Sequence, residues 1–249
     1  MIEVDRLLQS MYGGYAKSVG LNTDARYFNG TPIRPVVPLD HGTESVFFLG
    51  AYPSSRFVAF GGLADVPAGD NLGPFESERW FDGLRVRAQA SARELDDYFF
   101  KPIKLTRESC WITDLVKVFL FKDGHTAKYS KLGFDAPAGY ERARFHELGI
   151  ESLPWVRQEL ALARPRLVIT LGAEVAGVVR GVRSGNRQTL LLKPQIEEIN
   201  IAGYAAPTIH CAHPGILMRP SEQNTWPHRH KEEFVPVIRR FLSSDVKST

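Results

Sequence analysis

Residues 45–60 read SVFFLGAYPSSRFVAF, and the first half of this stretch decides the fold. An apolar run from Val46 to Leu49 is followed at once by Gly50, Pro53 and small hydroxyl side chains. Such a run indicates a strand that is buried on both faces, and the glycine and proline behind it indicate a turn. Ligands of open α/β sheets bind beyond the carboxyl ends of the strands. The stretch therefore predicts both a buried sheet and the edge at which a site lies.

Three further apolar runs repeat this pattern along the chain. They are Trp111 to Val118, Leu167 to Leu171 and Thr208 to Ala212. Segments with helical periodicity lie between and after the runs, at 84–99, 153–163, 173–180 and 231–242. The alternation predicts the α/β class, with a three-layer α/β/α sandwich around a central, mostly parallel sheet of four strands.

The chain has 249 residues, of which 43% are hydrophobic, so it is long enough to bury a sizeable core. We expect one domain over residues 1–249, in which residues 1–40 wrap the core and residues 244–249 form a frayed tail. The N-terminus lacks the apolar segment of a signal peptide, and no run approaches the roughly 18 apolar residues of a membrane span. A monomeric, cytoplasmic protein without membrane contact is the expectation.

The charge and the cysteines limit the classes of site. A formal net charge of +3 is compatible with a nucleic-acid partner but does not demand one. The chain has two cysteines, Cys110 and Cys211, and neither belongs to a C-x-x-C pair. A disulfide framework and a four-cysteine metal site are therefore not predicted. We expect no cofactor and no metal.

Five segments of the chain carry a family likeness. They are FFLGAYPSS at 47–55, GPFE at 73–76, CWITDLVK at 110–117, RPRLVITLGAEVAG at 164–177 and PTIHCAHPGILMR at 207–219. The order of these segments along the chain and their approximate spacing resemble those of the motifs of the uracil-DNA glycosylase superfamily. A G-x-x-P turn or an H-P pair alone is common by chance, whereas all five in register are specific. The last segment is most similar to the iron–sulfur members, but two cysteines cannot hold a cluster that needs four.

The resemblance implies a protein that flips a base out of double- or single-stranded DNA and hydrolyses its glycosidic bond. His213 would then support the charge that develops on the base. The residues that would surround the base are Gly50, Ala51, Tyr52, Phe75 and Asp114. The residues that would contact the DNA are Ser54, Ser55, Pro214, Gly215, Leu217 and Arg219. Among these, Leu217 is the candidate wedge for the space that the base leaves.

Asp114 departs from the family pattern, which usually has asparagine at this position. An ionised carboxylate only accepts hydrogen bonds, so it would repel O4 of uracil and suit a different base edge. A protonated carboxyl would imitate the amide of asparagine. An alternative is that Asp114 pairs with Lys117 and reads no base.

The G-x-x-P turn is the second departure. Family members commonly place a carboxylate or asparagine there to position or activate water, whereas this chain has Ala51 and Tyr52. Neither side chain is a general base at neutral pH. A substitute acid is expected in the following loop, and of Asp65, Asp70 and Glu76 we favour Asp70 as the catalytic partner of His213.

Two other functions remain open at this point. A family member without the turn carboxylate would bind a base, a nucleotide or damaged DNA without cleaving it. A metal-dependent hydrolase would draw its ligands from the last quarter of the chain, where His210, Cys211, His213, His228 and His230 lie. Strand alternation puts Cys211 and His213 on one face and His210 on the other, which does not favour a compact ligand set.

Overall fold

The computed structural model describes residues 2–182, 185–219 and 221–244. The strands are β1 (Val46–Gly50), β2 (Ser55–Phe60), β3 (Leu63–Asp70), β4 (Arg79–Phe81), β5 (Val86–Ala88), β6 (Trp111–Asp114), β7 (Leu167–Leu171), β8 (Glu197–Ile201) and β9 (Tyr204–Cys211). The α-helices are α1 (Ile2–Ser18), α2 (Ala90–Leu95), α3 (Lys101–Ile103), α4 (Asp123–Lys131), α5 (Phe145–Ala163), α6 (Ala173–Val179), α7 (Pro214–Leu217), α8 (Trp226–Arg229) and α9 (Val235–Ser244). Most of the expected frayed tail, residues 245–249, lies outside the described part.

The central sheet has the strand order β6-β1-β7-β9-β8. The first four strands are parallel, and β8 pairs antiparallel with β9 at the edge. The α/β fold with a mostly parallel central sheet is thus confirmed. The sheet has five strands, one more than predicted. Only Ile199 and Ile201 of β8 are buried, so no continuous apolar run marks that strand in the sequence.

Side-chain alternation along β1 builds the layers on both faces of the sheet. Phe47 and Leu49 belong to a core cluster that includes residues of α1 and α5. Val46 and Phe48 belong to a second cluster that includes residues of α2, α7 and α9. Because successive strand residues face opposite sides, one apolar run supports two helical layers. Within the described residues, no helix is both long enough and apolar enough to cross a membrane.

The second predicted strand ends at Asp114 and not at Val118. The next two N–H groups, of Leu115 and Val116, donate to the carbonyl oxygens of Gly50 and Ala51 at 2.9 Å each. The segment after β6 therefore stays hydrogen-bonded to the turn that follows β1. Asp114 is the last residue of β6 and pairs with Gly50 in the strand register.

Two predicted helix starts are wrong for local reasons. The helix expected from Leu84 begins at Ala90, because β4 and β5 form a hairpin that leaves Leu84 78% exposed. The helix expected from Leu153 begins at Phe145, and Pro154 lies inside it. Two π-helical turns connect successive helices: Asp96–Phe100 joins α2 to α3, and His230–Phe234 joins α8 to α9.

The N-terminal segment is more regular than the expected wrap. Its first part is α1, which packs against α5 and buries Leu7, Met11 and Tyr15 in the first core cluster. The Tyr15 hydroxyl accepts a hydrogen bond from the Lys117 N–H at 3.0 Å. The helix is therefore tied to the segment that follows Asp114.

Candidate active site

A cavity of about 500 Å³ lies at the carboxyl edge of the parallel strands. Its lining includes Ala51, Tyr52, Pro53 and Ser54 after β1, Asp114 at the end of β6, Glu174 in the first turn after β7 and His213 after β9. Phe75 comes from the loop after β3 and Glu94 from α2. The four predicted strand ends therefore converge on one cavity, as the rule for open sheets requires.

His213 caps the amino end of α7 and lines the cavity. Its Nδ1 accepts a hydrogen bond from the Gly215 N–H at 3.1 Å. Because an N–H donor needs a lone pair, the neutral ring carries its proton on Nε2. Burial, followed by the positive charges of Lys122 and Arg219, lowers the pKa of His213 to about 4. The ring is therefore neutral at neutral pH and has one N–H left to donate.

Gly50, Phe75 and Asp114 meet at the back of the cavity. A Cβ at Gly50 would collide with the carboxyl of Asp114 and with the ring of Phe75, so only glycine fits there. Phe75 adopts a φ of 58°, which is uncommon for a bulky residue, and its carbonyl accepts from Arg107 Nη2 at 2.7 Å. Its ring centre lies 6.3 Å from that of His213. The strained backbone of Phe75 therefore places its ring next to Asp114 and His213.

The carboxyl of Asp114 is buried, with the residue 2% exposed, and receives no hydrogen bond from the described residues. Burial raises its pKa to about 7, against a smaller lowering effect of Lys117. The Lys117 ammonium donates to Glu159 Oε2 at 2.6 Å and to the main-chain oxygen of Asp114 at 2.7 Å. Lys117 therefore pairs with Glu159, and the carboxyl of Asp114 stays available at the cavity.

One wall of the cavity is aromatic and cationic. The Arg142 guanidinium lies 5.0 Å from the ring centre of Tyr52 and 4.6 Å from that of Phe145. Arg142 also forms an ion pair with Glu174. Burial raises the pKa of Tyr52, so its hydroxyl stays protonated. Tyr52 is part of this wall, as expected from its place in the turn.

Asp70, the favoured acid, is not brought to this cavity. Its Oδ1 accepts from the Tyr27 hydroxyl at 2.7 Å and its Oδ2 from the Arg34 N–H at 2.9 Å. It lines a different cavity, of about 430 Å³, beside β2 and β3. Asp65 pairs with Arg87, and Glu76 lies 3.5 Å from the Arg107 guanidinium; neither lines the site.

Three of the expected DNA contacts are buried and do not fit that role. Ser55 is 0% exposed, and its Oγ donates to the Gly69 carbonyl at 2.9 Å. Leu217 is also 0% exposed, because the short helix α7 turns its side chain into the second core cluster. Pro214 is buried as well. Ser54 lines the cavity, Gly215 is half-buried, and the Arg219 guanidinium is exposed without a partner among the described residues.

The burial of Leu217 predicts a structural effect. Leu217→Ala should lower the free energy of unfolding by about 2–5 kcal/mol, since it leaves a cavity in a packed core. Leu84→Ala, at an exposed apolar position, should change it by no more than about 0.5 kcal/mol. Urea unfolding measures both. Equal midpoints for Leu217→Ala and the wild type would show that the side chain is not packed as described.

Two histidines of the last quarter, His210 and His230, have separate hydrogen-bond partners. Arg180 Nε donates to His210 Nε2 at 2.8 Å, and His210 Nδ1 lies 2.7 Å from the Thr170 hydroxyl. His230 Nε2 lies 2.8 Å from the Tyr98 carbonyl. Among residues 2–182, 185–219 and 221–244, no three His, Cys, Asp or Glu side chains are grouped to hold a metal ion. The two buried cysteines also do not fit a four-cysteine iron–sulfur cluster.

The parallel sheet with a cavity at its carboxyl edge defines an open-sheet α/β protein whose site lies at the strand ends. The family model of the uracil DNA glycosylase superfamily matches residues 27–239. The chain therefore belongs to the uracil DNA glycosylase superfamily, whose members act on DNA. A comparison with curated proteins found no match.

Proposed function

We propose that the protein removes a deaminated or damaged base from DNA by flipping it into the cavity and hydrolysing its N-glycosidic bond. The observation that carries the proposal is the neutral ring of His213, which keeps an Nε2–H donor at the cavity. As the bond breaks, negative charge collects on the base and reaches its exocyclic oxygen. A fixed donor at that oxygen stabilises the transition state more than the ground state.

Asp114 and Phe75 supply the means to hold the base. Deamination converts an amino donor beside a ring nitrogen acceptor into a carbonyl acceptor beside a ring N–H donor. The protonated carboxyl of Asp114 offers an O–H donor next to a C=O acceptor, which matches that edge. The ring of Phe75 offers a stacking surface beside it. Ser54 and Arg219, at the cavity and on the exposed surface, are the proposed DNA contacts.

The titration of Asp114 predicts the pH dependence of uracil release. The pKa of about 7 means that the hydrogen-bonding form is present below about pH 7 and is lost as the pH rises. We expect wild-type kcat/KM on a uracil oligonucleotide to fall between about pH 6 and about pH 8, and Asp114→Asn to lack this fall. Asp135→Asn, at an exposed site away from the cavity, should keep the wild-type profile. Identical profiles for wild type and Asp114→Asn would rule out the edge-reading role.

The function is tested with end-labelled oligonucleotides that carry uracil, hypoxanthine, xanthine or other lesions, each in single-stranded and double-stranded form. An oligonucleotide with undamaged cytosine is the control for selectivity. Alkaline cleavage of the products reveals abasic sites. An abasic site from at least one lesion supports hydrolysis, and none from any lesion contradicts it. Sedimentation of the protein and of its DNA complex tests the proposed monomer.

Binding without cleavage is the second candidate, and the turn after β1 favours it. Ala51 and Tyr52 line the cavity where the resemblance leads us to expect a water-activating group. Under this alternative, lesion-bearing DNA binds more tightly than undamaged DNA and yields no abasic product. Fluorescence anisotropy beside the cleavage assay separates the two.

A further inference from the structure

The cavity contains carboxylates that the turn lacks. Those of the described residues that line it are Glu94, Asp114 and Glu174. Glu174 is paired with Arg142, and Asp114 lies against Gly50 and Phe75 at the back. Glu94 has no hydrogen bond or ion pair to the described residues, so its carboxylate is available to a water molecule or a ligand.

Packing of α2 against α7 places Glu94 beside His213. Glu94 Oε2 lies 3.4 Å, and His213 Nδ1 3.3 Å, from the point that a Cβ on Gly215 would occupy. The carboxylate and the imidazole therefore flank Gly215 at the same side of the cavity. In a pyrimidine nucleoside the base oxygen O2 is on C2, and both C2 and C1′ are bonded to the glycosidic nitrogen. A carboxylate beside the histidine that binds this oxygen is therefore a candidate to contact a water that attacks C1′.

The surroundings of Glu94 suit a group that accepts a proton. Burial raises its pKa, and the nearby charges of Arg219 and Arg93 act in the opposite direction. Arg93 lies on the same helix, while Arg219 and the neutral His213 lie on the α7 side. A carboxylate whose pKa is raised toward neutrality is a stronger base than an exposed one.

We propose that Glu94 is the general base that deprotonates the attacking water. This role rests on the proposed glycosylase function. The water oxygen bonds to C1′ as the bond from C1′ to the base nitrogen breaks. The electron pair of that bond stays on the base, where the charge spreads to the oxygen bound by His213 Nε2–H. The carboxylate takes one proton from the water. That proton then passes through solvent to the released base, which leaves a neutral base and an abasic sugar.

Glu94→Gln tests the role, because it keeps the shape of the side chain and removes the basic oxygen. We expect kcat on the preferred lesion to fall about 100-fold or more, with little change in KM. The acid limb of the kcat profile that belongs to Glu94 should disappear in the variant. Sodium formate should restore part of the activity of Glu94→Ala, since a free carboxylate replaces the missing one. A merely structural role gives no such rescue.

Asp97→Asn is the matched control, since this carboxylate follows α2, pairs with Lys101 and does not line the cavity. It should keep the wild-type kcat. An active wild type with Glu94→Gln within about twofold of it would overturn the Glu94 role and leave the function standing. Equal losses in Glu94→Gln and Asp97→Asn without formate rescue would also overturn it. A wild type inactive on all lesions would overturn the function itself, and the Glu94 role with it.

Discussion

Replacing His213 by alanine is expected to lower kcat for base release by about 100- to 1,000-fold while the protein stays folded. The variant loses the Nε2–H donor that the Gly215 N–H fixes through Nδ1. Substrate affinity should change less than kcat, because the charge on the base oxygen is largest in the transition state. Single-turnover cleavage of the preferred lesion, with circular dichroism for the fold, measures both expectations.

The charge state of His213 gives this prediction a second readout. With a pKa of about 4, the ring is neutral and its donor unchanged from about pH 6 to about pH 8. A cationic donor would instead lose about tenfold in rate for each pH unit above its pKa. In Asp114→Asn, where the carboxyl no longer titrates, activity should therefore show no such loss toward high pH.

Two further variants test whether the lost activity comes from the missing N–H donor of His213. His213→Gln keeps an N–H donor on a shorter reach and should retain more activity than His213→Ala. His228→Ala removes an exposed histidine that does not line the cavity and should match the wild type. A His213→Ala protein with near wild-type kcat would show that the charge on the base is stabilised by another group.

The strand-end part of the site was predictable because it depends on short local patterns. Apolar runs predict β1, β7 and the second half of β9, and the residues after them meet at one edge of the sheet. Asp114 and His213 were found in this way, and Phe75 through the resemblance. The parallel part of the central sheet was predictable for the same reason, whereas β8, whose alternating burial resembles an exposed segment, and the hairpins β2-β3 and β4-β5 were not predicted.

Glu94 and Leu217 show where the sequence was insufficient. Glu94 was inside a predicted helix, but the prediction started that helix too early, at Leu84. Only the packing of α2 on α7 shows that Glu94 lies on the face of the helix next to the cavity. Leu217 follows a family-like H-P pair, yet a single helical turn directs it into the core. Which way a side chain faces depends on partners distant in sequence, which short motifs do not encode. The same applies to the favoured Asp70, whose carboxyl accepts hydrogen bonds from Tyr27 and Arg34 beside a different cavity.

A buried charge pair behind the site leads to the largest expected loss of stability. Lys117 and Glu159 have side chains that are 0% exposed and 2.6 Å apart. The Lys117 ammonium also donates to the Thr113 hydroxyl at 2.6 Å, and Glu159 Oε1 accepts from the same hydroxyl and from Trp111 Nε1. Removing one partner leaves a buried charge uncompensated. Lys117→Met should therefore lower the free energy of unfolding by about 3–5 kcal/mol, as measured by urea unfolding.

The double variant Lys117→Met/Glu159→Leu is the control, because it removes both charges. It should recover most of the lost stability, since well-packed apolar replacements of a buried pair are often neutral. If the double variant is as unstable as Lys117→Met, the loss of stability comes from altered packing and not from an uncompensated charge. The same pair acts on the site, since Lys117 lowers and Glu159 raises the pKa of Asp114. Folded Lys117→Met protein should therefore retain uracil release to a higher pH than the wild type, which links the buried pair to base reading through one titrating carboxyl.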